Sequence, residues 1–298
     1  MKKSATKSGK HVKDTTRQNL SAEDPSLASL STPPLSNTSL TPPLSKNTNS
    51  VIHGTIFLWP GRWLLLSNGI HNRRHKHVAA SLLFGLDGPL DIEISGQWHR
   101  LAGAIVAPEV EQALDSGDGR TLVVHMDPDE PMWRHLVTAL GGSEFMPLSA
   151  GQLDIQTLED AVQAADIVAA QRWLQTLATD QADCTVLDER VQQVCGWLRD
   201  NLPERLELAE LAALTSLSSS RLTHLFSQQM GVTMRRYLAH LKMQQALYCW
   251  KPGMQFAELA ALSGFYDQPH LLRTAREMFD AMPSAIGMLG QLKVVRSS

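Results

Sequence analysis

The chain has 298 residues, 43% of them hydrophobic and 19% charged, with a formal net charge of −3. That composition is ordinary for a globular protein, and the length suits about two domains. No apolar run reaches about 18 residues, so no membrane-spanning helix is expected.

Charge is spread unevenly. Residues 1–50 carry 7 Lys/Arg and 3 Asp/Glu, residues 51–187 carry 8 and 17, and residues 188–298 carry 12 and 10. A nucleic-acid function must therefore rest on where the C-terminal charges sit, not on bulk attraction. Cys184, Cys195 and Cys249 have neither metal-ligand nor disulfide-framework spacing. As small apolar residues they suit a reducing cytosol, and a cytoplasmic location is expected.

Taken in chain order, the first segment, 1–50, reads as a disordered tail. "LSTPPLS" at 30–36 and "LTPPLS" at 40–45 are near-copies with little to bury. "MKKSATKSGKHVKD" lacks the apolar core of a secretory signal.

From about 51 to 130 the runs "TIFLWPGRWLLLS", "VAASLLFGL", "LDIEIS", "AGAIVAP" and "RTLVVHM" are short, apolar and regularly punctuated. They predict a β-sandwich or barrel, with Gly69, Gly88, Gly96 and Gly103 at turns. Within it, "GIHNRRHKH" at 69–77 places His75 and His77 two residues apart, on one face of a strand. This stretch resembles the first motif of the cupins, small β-barrels. The glutamate expected at Ala80–Leu82 is absent, and "GAIVAPEVEQAL" at 103–114 lacks the histidine of the second motif. No metal centre or cofactor is expected. His75, His77 and Trp98 are taken as candidate effector contacts.

From about 131 helices take over. "DIQTLEDAVQAADIVAAQRWLQTLAT" carries Ile155, Leu158, Val162, Ala165, Ala169 and Trp173 along one stripe, which suits packing on its own domain or pairing with a second copy. The pattern breaks at 177–186, where a domain boundary is expected.

"LAELAAL" at 208–214 returns as "FAELAAL" at 256–262. In each copy a short helix should bury one face (Leu208, Leu211, Ala212 and Leu214; then Phe256, Leu259, Ala260 and Leu262). After a turn, Ser218 and Asp267 should cap second helices, the first of which ends at Gly231. The long connector "VTMRRYLAHLKMQQALYCW" has Leu238, Leu241 and Leu247 as buried points. A small-residue helix, a tight turn and a helix with one polar face form the helix-turn-helix pattern. Two copies give two helices able to enter a major groove, although paired helices with alanines also build plain bundles.

Residues 188–290 resemble the double helix-turn-helix domain of the AraC/XylS transcription regulators. The resemblance rests on "LAELAAL", Leu222 and Phe226, Gly231, "KMQQA" at 242–246, "FAELAALSGFYDQ", Arg273, Phe279 and Pro283-Ser284. It departs from the family at Lys242, Leu271, Ala275, Asp280 and Ile286-Gly287. Weaker reading by the second unit is expected, with less core volume at Ala275 and an acidic charge from Asp280 near a phosphate. The resemblance places Ser220, Arg221, Thr223 and His224 on the exposed face of the first reading helix, and Gln268, His270 and Arg273 on the second.

The reading is a multidomain protein: a disordered tail (1–50), a cupin-like β-barrel sensor with dimerisation helices (51–182, the helices at about 151–182), and an all-α double helix-turn-helix domain (188–290). The resemblance implies a non-enzymatic transcription regulator with double-stranded DNA, a small-molecule effector, RNA polymerase and a second copy of itself as partners, and no membrane. Activator and repressor are both open. A metal-dependent cupin enzyme and an interaction protein that has lost DNA binding are the alternatives.

Overall fold

The computed structural model describes residues 53–149, 153–177, 186–280 and 292–297. The 1–50 tail, the 178–185 part of the expected boundary, Pro283-Ser284 and Ile286-Gly287 lie outside the described residues.

Alternating apolar residues make the N-terminal half a β-structure. Its strands are β1 (His53–Trp59), β2 (Arg62–Asn68), β3 (His75–Lys76), β4 (Ala80–Gly85), β5 (Leu90–Ile94), β6 (Gln97–Leu101), β7 (Gly103–Val106), β8 (Glu111–Asp115), β9 (Arg120–Met126) and β10 (Phe145–Leu148). A last strand, β11 (Leu292–Arg296), comes from the far end of the chain. One sheet has the order β10-β7-β4-β9-β2-β1-β11 and the other β3-β8-β5-β6.

The seven-stranded sheet is apolar on both faces, with period-2 alternation. Ile56, Leu58, Trp63, Leu65, Leu83 and Val123 face the four-stranded sheet and pack with its Leu90, Ile92, Ile94 and Leu114. Phe57, Trp59, Leu64, Leu66, Leu82, Phe84, Leu122, Val124 and Met126 face the other way, onto a helical layer. That layer is α1 (Pro131–Leu140), α2 (Ile155–Ala164) and α3 (Ile167–Thr176). Two sequence expectations change here. Gly103 lies in a strand, not a turn, and is glycine because a Cβ there would sit 2.4 Å from the Phe84 ring and 2.6 Å from the Leu83 carbonyl oxygen. The single stripe over 155–173 is two helices. Ala165 adopts φ 54° and Asp166 caps α3 by accepting from the backbone N–H groups of Val168 and Ala169.

The C-terminal half is helical: α4 (Glu189–Asn201), α5 (Leu208–Leu214), α6 (Ser219–Met230), α7 (Met234–Cys249), α8 (Phe256–Leu262) and α9 (Gln268–Phe279). One core joins them, including Val191, Leu198, Leu211, Leu222, Phe226, Tyr237, Leu241, Leu259, Leu271 and Ala275. α7, about 24 Å long at 1.5 Å per residue, runs between the two repeated units and buries Leu238 and Leu241, with Leu247 half-buried.

The two halves meet through buried charge. Asp127, at the end of β9, accepts from His240 Nε2 (2.7 Å) and Gln244 Nε2 (2.7 Å) on α7, and from Arg199 Nη2 (3.2 Å) on α4. Asp129 accepts from Arg199 Nη1 (3.1 Å) and from the Tyr237 hydroxyl (3.0 Å). β11 then runs back from the helical half and pairs in parallel with β1, matching Gly54 to Leu292 and Leu58 to Arg296.

Replacing Asp127 by Ala leaves His240, Gln244 and Arg199 facing a buried gap. Removing one partner from a buried ionic network costs about 3–5 kcal/mol. The D127A chain should therefore unfold at a clearly lower denaturant concentration, whereas D127N, which keeps one acceptor oxygen, should lose less.

Candidate nucleic-acid interface

The repeated units fold alike in detail. In each, the apolar pair Leu211-Ala212 or Leu259-Ala260 is buried against the second helix. The alanines allow close approach. Leu208, Leu214 and Leu262 remain exposed and Phe256 is half-buried, so each inward face is narrower than the sequence pattern suggested. The same backbone bond closes both turns: Leu217 N–H to Ala212 O (3.0 Å) and Phe265 N–H to Ala260 O (2.9 Å). The left-handed residue in these turns is Ser216 (φ 55°) in the first unit and Gly264 (φ 75°) in the second. Ser218 caps α6 by accepting from Arg221 N–H (3.3 Å), and Asp267 caps α9 by accepting from His270 N–H (2.7 Å).

These caps orient the polar faces. Ser220, Arg221, Thr223 and His224 are all exposed on α6. The Thr223 hydroxyl donates to Ser219 O (2.8 Å), which leaves its oxygen able to accept. On α9, Gln268 and Arg273 are exposed. His270 differs: it is half-buried, with its ring edge against Phe265 (5.1 Å, 88°), and burial lowers its pKa. Exposed Arg276 and Tyr266 flank the second face. Tyr266 is a position the repeat comparison passed over, because the extra residue in the second turn has no counterpart in the first copy. Lys242 is buried and donates to Glu204 O (3.0 Å), fastening α7 to the loop before α5.

The expectation that Asp280 adds negative charge near a phosphate fails. Its carboxylate is turned to the β-rich half, where Arg73 donates to it from its backbone N–H (2.8 Å), Nη2 (2.8 Å) and Nε (3.1 Å). Ala275 is fully buried in the helical core with Phe265, Leu271 and Met278.

The effector candidates are not brought together. His75 stands on β3 and Trp98 on β6, at opposite edges of the four-stranded sheet. Three strand spacings separate those edges, about 14 Å. His75 and His77 do meet, Nε2 to Nε2 at 2.7 Å. Because His75 Nδ1 is 2.7 Å from the Arg73 carbonyl, it must donate there. In the neutral pair His77 then donates to His75. His77 also lies edge-on to His125 (4.1 Å between centroids), which stacks on Trp63 (4.0 Å). Gln112 Nε2 donates to Ser81 Oγ (3.0 Å), which in turn lies 3.3 Å from His125 Nε2.

Burial holds the pKa of both His77 and His125 well below the usual histidine value, and neighbouring imidazoles lower them further. A depressed histidine pKa means that the opened state binds protons more readily. The folded state therefore keeps its full stability above the exposed value of about 6.5 and loses it as pH falls below that, by up to about 1.4 kcal/mol per pH unit for each ring. Unfolding free energy should fall from pH 7 to pH 5, and less steeply in a His77→Gln, His125→Gln chain. Parallel pH profiles would assign the slope to other groups.

A helix-turn-helix domain family model matches residues 211–287. The arabinose operon regulatory protein of Escherichia coli (strain K12) is 32% identical over 100 residues, covering 33% of this chain and 34% of that protein. The uncharacterized HTH-type transcriptional regulator YbfI of Bacillus subtilis (strain 168) is 25% identical over 186 residues, covering 55% and 67%. The chain thus spans about a third of the length of the first of these relatives. In fold, it is similar to ToxT from Vibrio cholerae O395, with a TM-score of 0.52, 10% identity, and coverage of 78% of this chain and 99% of that one. The chain therefore carries two helix-turn-helix units, in a stretch that matches a helix-turn-helix domain model, behind a β-rich N-terminal half.

Proposed function

We propose that this chain is a sequence-specific, DNA-binding transcription regulator, with an effector-responsive sensor at 51–182 and a DNA-binding domain at 188–290. The observation that supports it best is the pair of matching helix-turn-helix units whose polar faces (Ser220, Arg221, Thr223 and His224; Gln268 and Arg273) are exposed among the described residues. Backbone amides at the start of α6, capped by the neutral Ser218, favour phosphate approach. Arg221 and Arg273 suit guanine edges, and Gln268 suits adenine. His270, packed on Phe265, is the weakest of the candidate contacts.

The matched relatives are transcriptional regulators, so no reaction is assigned. Among the described residues no helix is long and apolar enough to cross a membrane. A second copy of the chain, paired through α2 and α3, and RNA polymerase complete the proposed partners. Val168 on α3 is exposed and available for such pairing. Action on DNA sets the proposed location in the cytoplasm.

Selection of bound fragments from genomic DNA should yield an operator. Arg273→Ala should then weaken operator binding by about 1–3 kcal/mol and relax preference at one base pair. An equal loss on random duplex would reduce Arg273 to a phosphate contact. Wild-type protein that fails to bind any duplex at low salt would overturn the regulator reading, because non-specific binding is strongest there.

A further inference from the structure

The two reading helices end in the same backbone conformation with different residues. Gly231 follows α6 at φ 71°, and Asp280 follows α9 at φ 49°. Glycine occupies the left-handed region freely, whereas a side chain there meets the carbonyl that follows it. Aspartate is thus the more strained choice, and the helix itself gains nothing from its carboxylate. The C-cap bond of α9 comes from the Asp280 backbone N–H, as glycine would also supply.

The carboxylate acts elsewhere. It takes the three bonds from Arg73, and its side chain is only 11% exposed, against 60% for Arg73. Beside it, the Phe279 ring covers His77 (5.3 Å) and His125 (6.2 Å). The residue capping α9 therefore grips the loop that leads into β3, while the last residue of α9 covers His77, just past that strand, and His125 on β9. That loop turns on one residue. The Arg73 N–H and guanidinium hold Asp280, while the Arg73 carbonyl holds His75, which holds His77. The first unit is attached differently: Arg134 Nη1 donates to Gln229 O (3.0 Å), on a helix capped by an unstrained glycine.

We propose that Phe279 and Asp280 form a latch that fastens the second helix-turn-helix unit to the β-rich half, so that displacement of the His75–His77 pair is passed to α9 through Arg73 and through the Phe279 ring that lies on His77. The proposal rests on the regulator reading and adds its transmission element. Coupling of this kind needs an element with two arrangements that both sites bias. Here they are α9 latched and α9 released.

The test uses the full chain and two variants. Asp280→Gly removes the carboxylate while relieving the left-handed strain, so the helix keeps its cap. Arg73→Ala removes the guanidinium bonds to Asp280, alters no residue of the helical half, and leaves the backbone N–H bond in place. Amide hydrogen exchange in residues 70–77 and at the C-terminal turn of α9 should rise about tenfold in Asp280→Gly and by less in Arg73→Ala, with α4 and α6 unchanged. The double variant should exchange no faster than Asp280→Gly alone, and both single variants should shift affinity for a selected duplex in the same direction. Exchange in 70–77 that stays at the wild-type rate in Asp280→Gly, or additive effects in the double variant, would overturn the latch. Failure of the wild-type chain to bind duplex would instead defeat the regulator reading, and the exchange measurement would remain decisive for the latch.

Discussion

The buried joint between the two halves centres on Asp127. It is 1% exposed, yet it receives a histidine, a glutamine and an arginine from two different helices of the helical half. A buried carboxylate tolerates so little water only when its lone pairs are filled. Asp129, two residues on, completes the joint by taking Arg199 and the hydroxyl of fully buried Tyr237. Directional bonds of this kind favour one orientation of the helical half, whereas an apolar interface of equal area would tolerate sliding. α7 belongs to both the joint and the reading domain, since it supplies His240 and Gln244 and also packs against α8 and α9.

This joint accounts for part of the charge asymmetry. The acidic excess of residues 51–187 is not all solvated surface: Asp127, Asp129 and Glu109 pair with Arg199 and Arg236 from the helical half. These pairs draw positive charge away from any DNA-facing side. What remains exposed for nucleic acid on the two reading helices is a small set of cations, Arg221, Arg273 and Arg276. On the proposed regulator reading, a chain of net charge −3 gains little from non-specific attraction and must rely on base-edge contacts and on the geometry with which its helices are held.

Local physics made much of the molecule legible in the sequence. The strands showed because their apolar residues alternate or run together between turns. The helix ends showed because Ser218, Asp267 and Gly231 are residues whose side chains, or lack of one, suit a cap. The break between α2 and α3 was hidden, since Ala165 in a left-handed conformation carries no compositional mark and the apolar spacing runs on across it. β11 was also hidden. "LKVVR" is too short to display a period, and its partner β1 lies more than two hundred residues away. Asp127, His240 and Arg199 gave no signal for the same reason: each reads as an ordinary polar residue until tertiary structure sets them together.

The departures from the family pattern gain meaning from this long-range view. At Asp280 the sequence alone suggests an eroded unit carrying an unwelcome charge. The fold shows that charge turned inward to an arginine of the other half, with the adjoining Phe279 laid over two neutral imidazoles. At Lys242 the side chain is buried and bonded to a loop carbonyl. At Ala275 the small residue sits fully buried, and Phe265 and Met278 fill the core around it. In each case the substituted residue serves contacts within the molecule, leaving Gln268 and Arg273 facing outward. The second unit is therefore better described as tied to the β-rich half than as worn down. On the proposed reading, a unit tied in this way contributes to recognition through its position relative to the first as much as through its own side chains, because two helices on one duplex must match the groove's repeat as well as its bases.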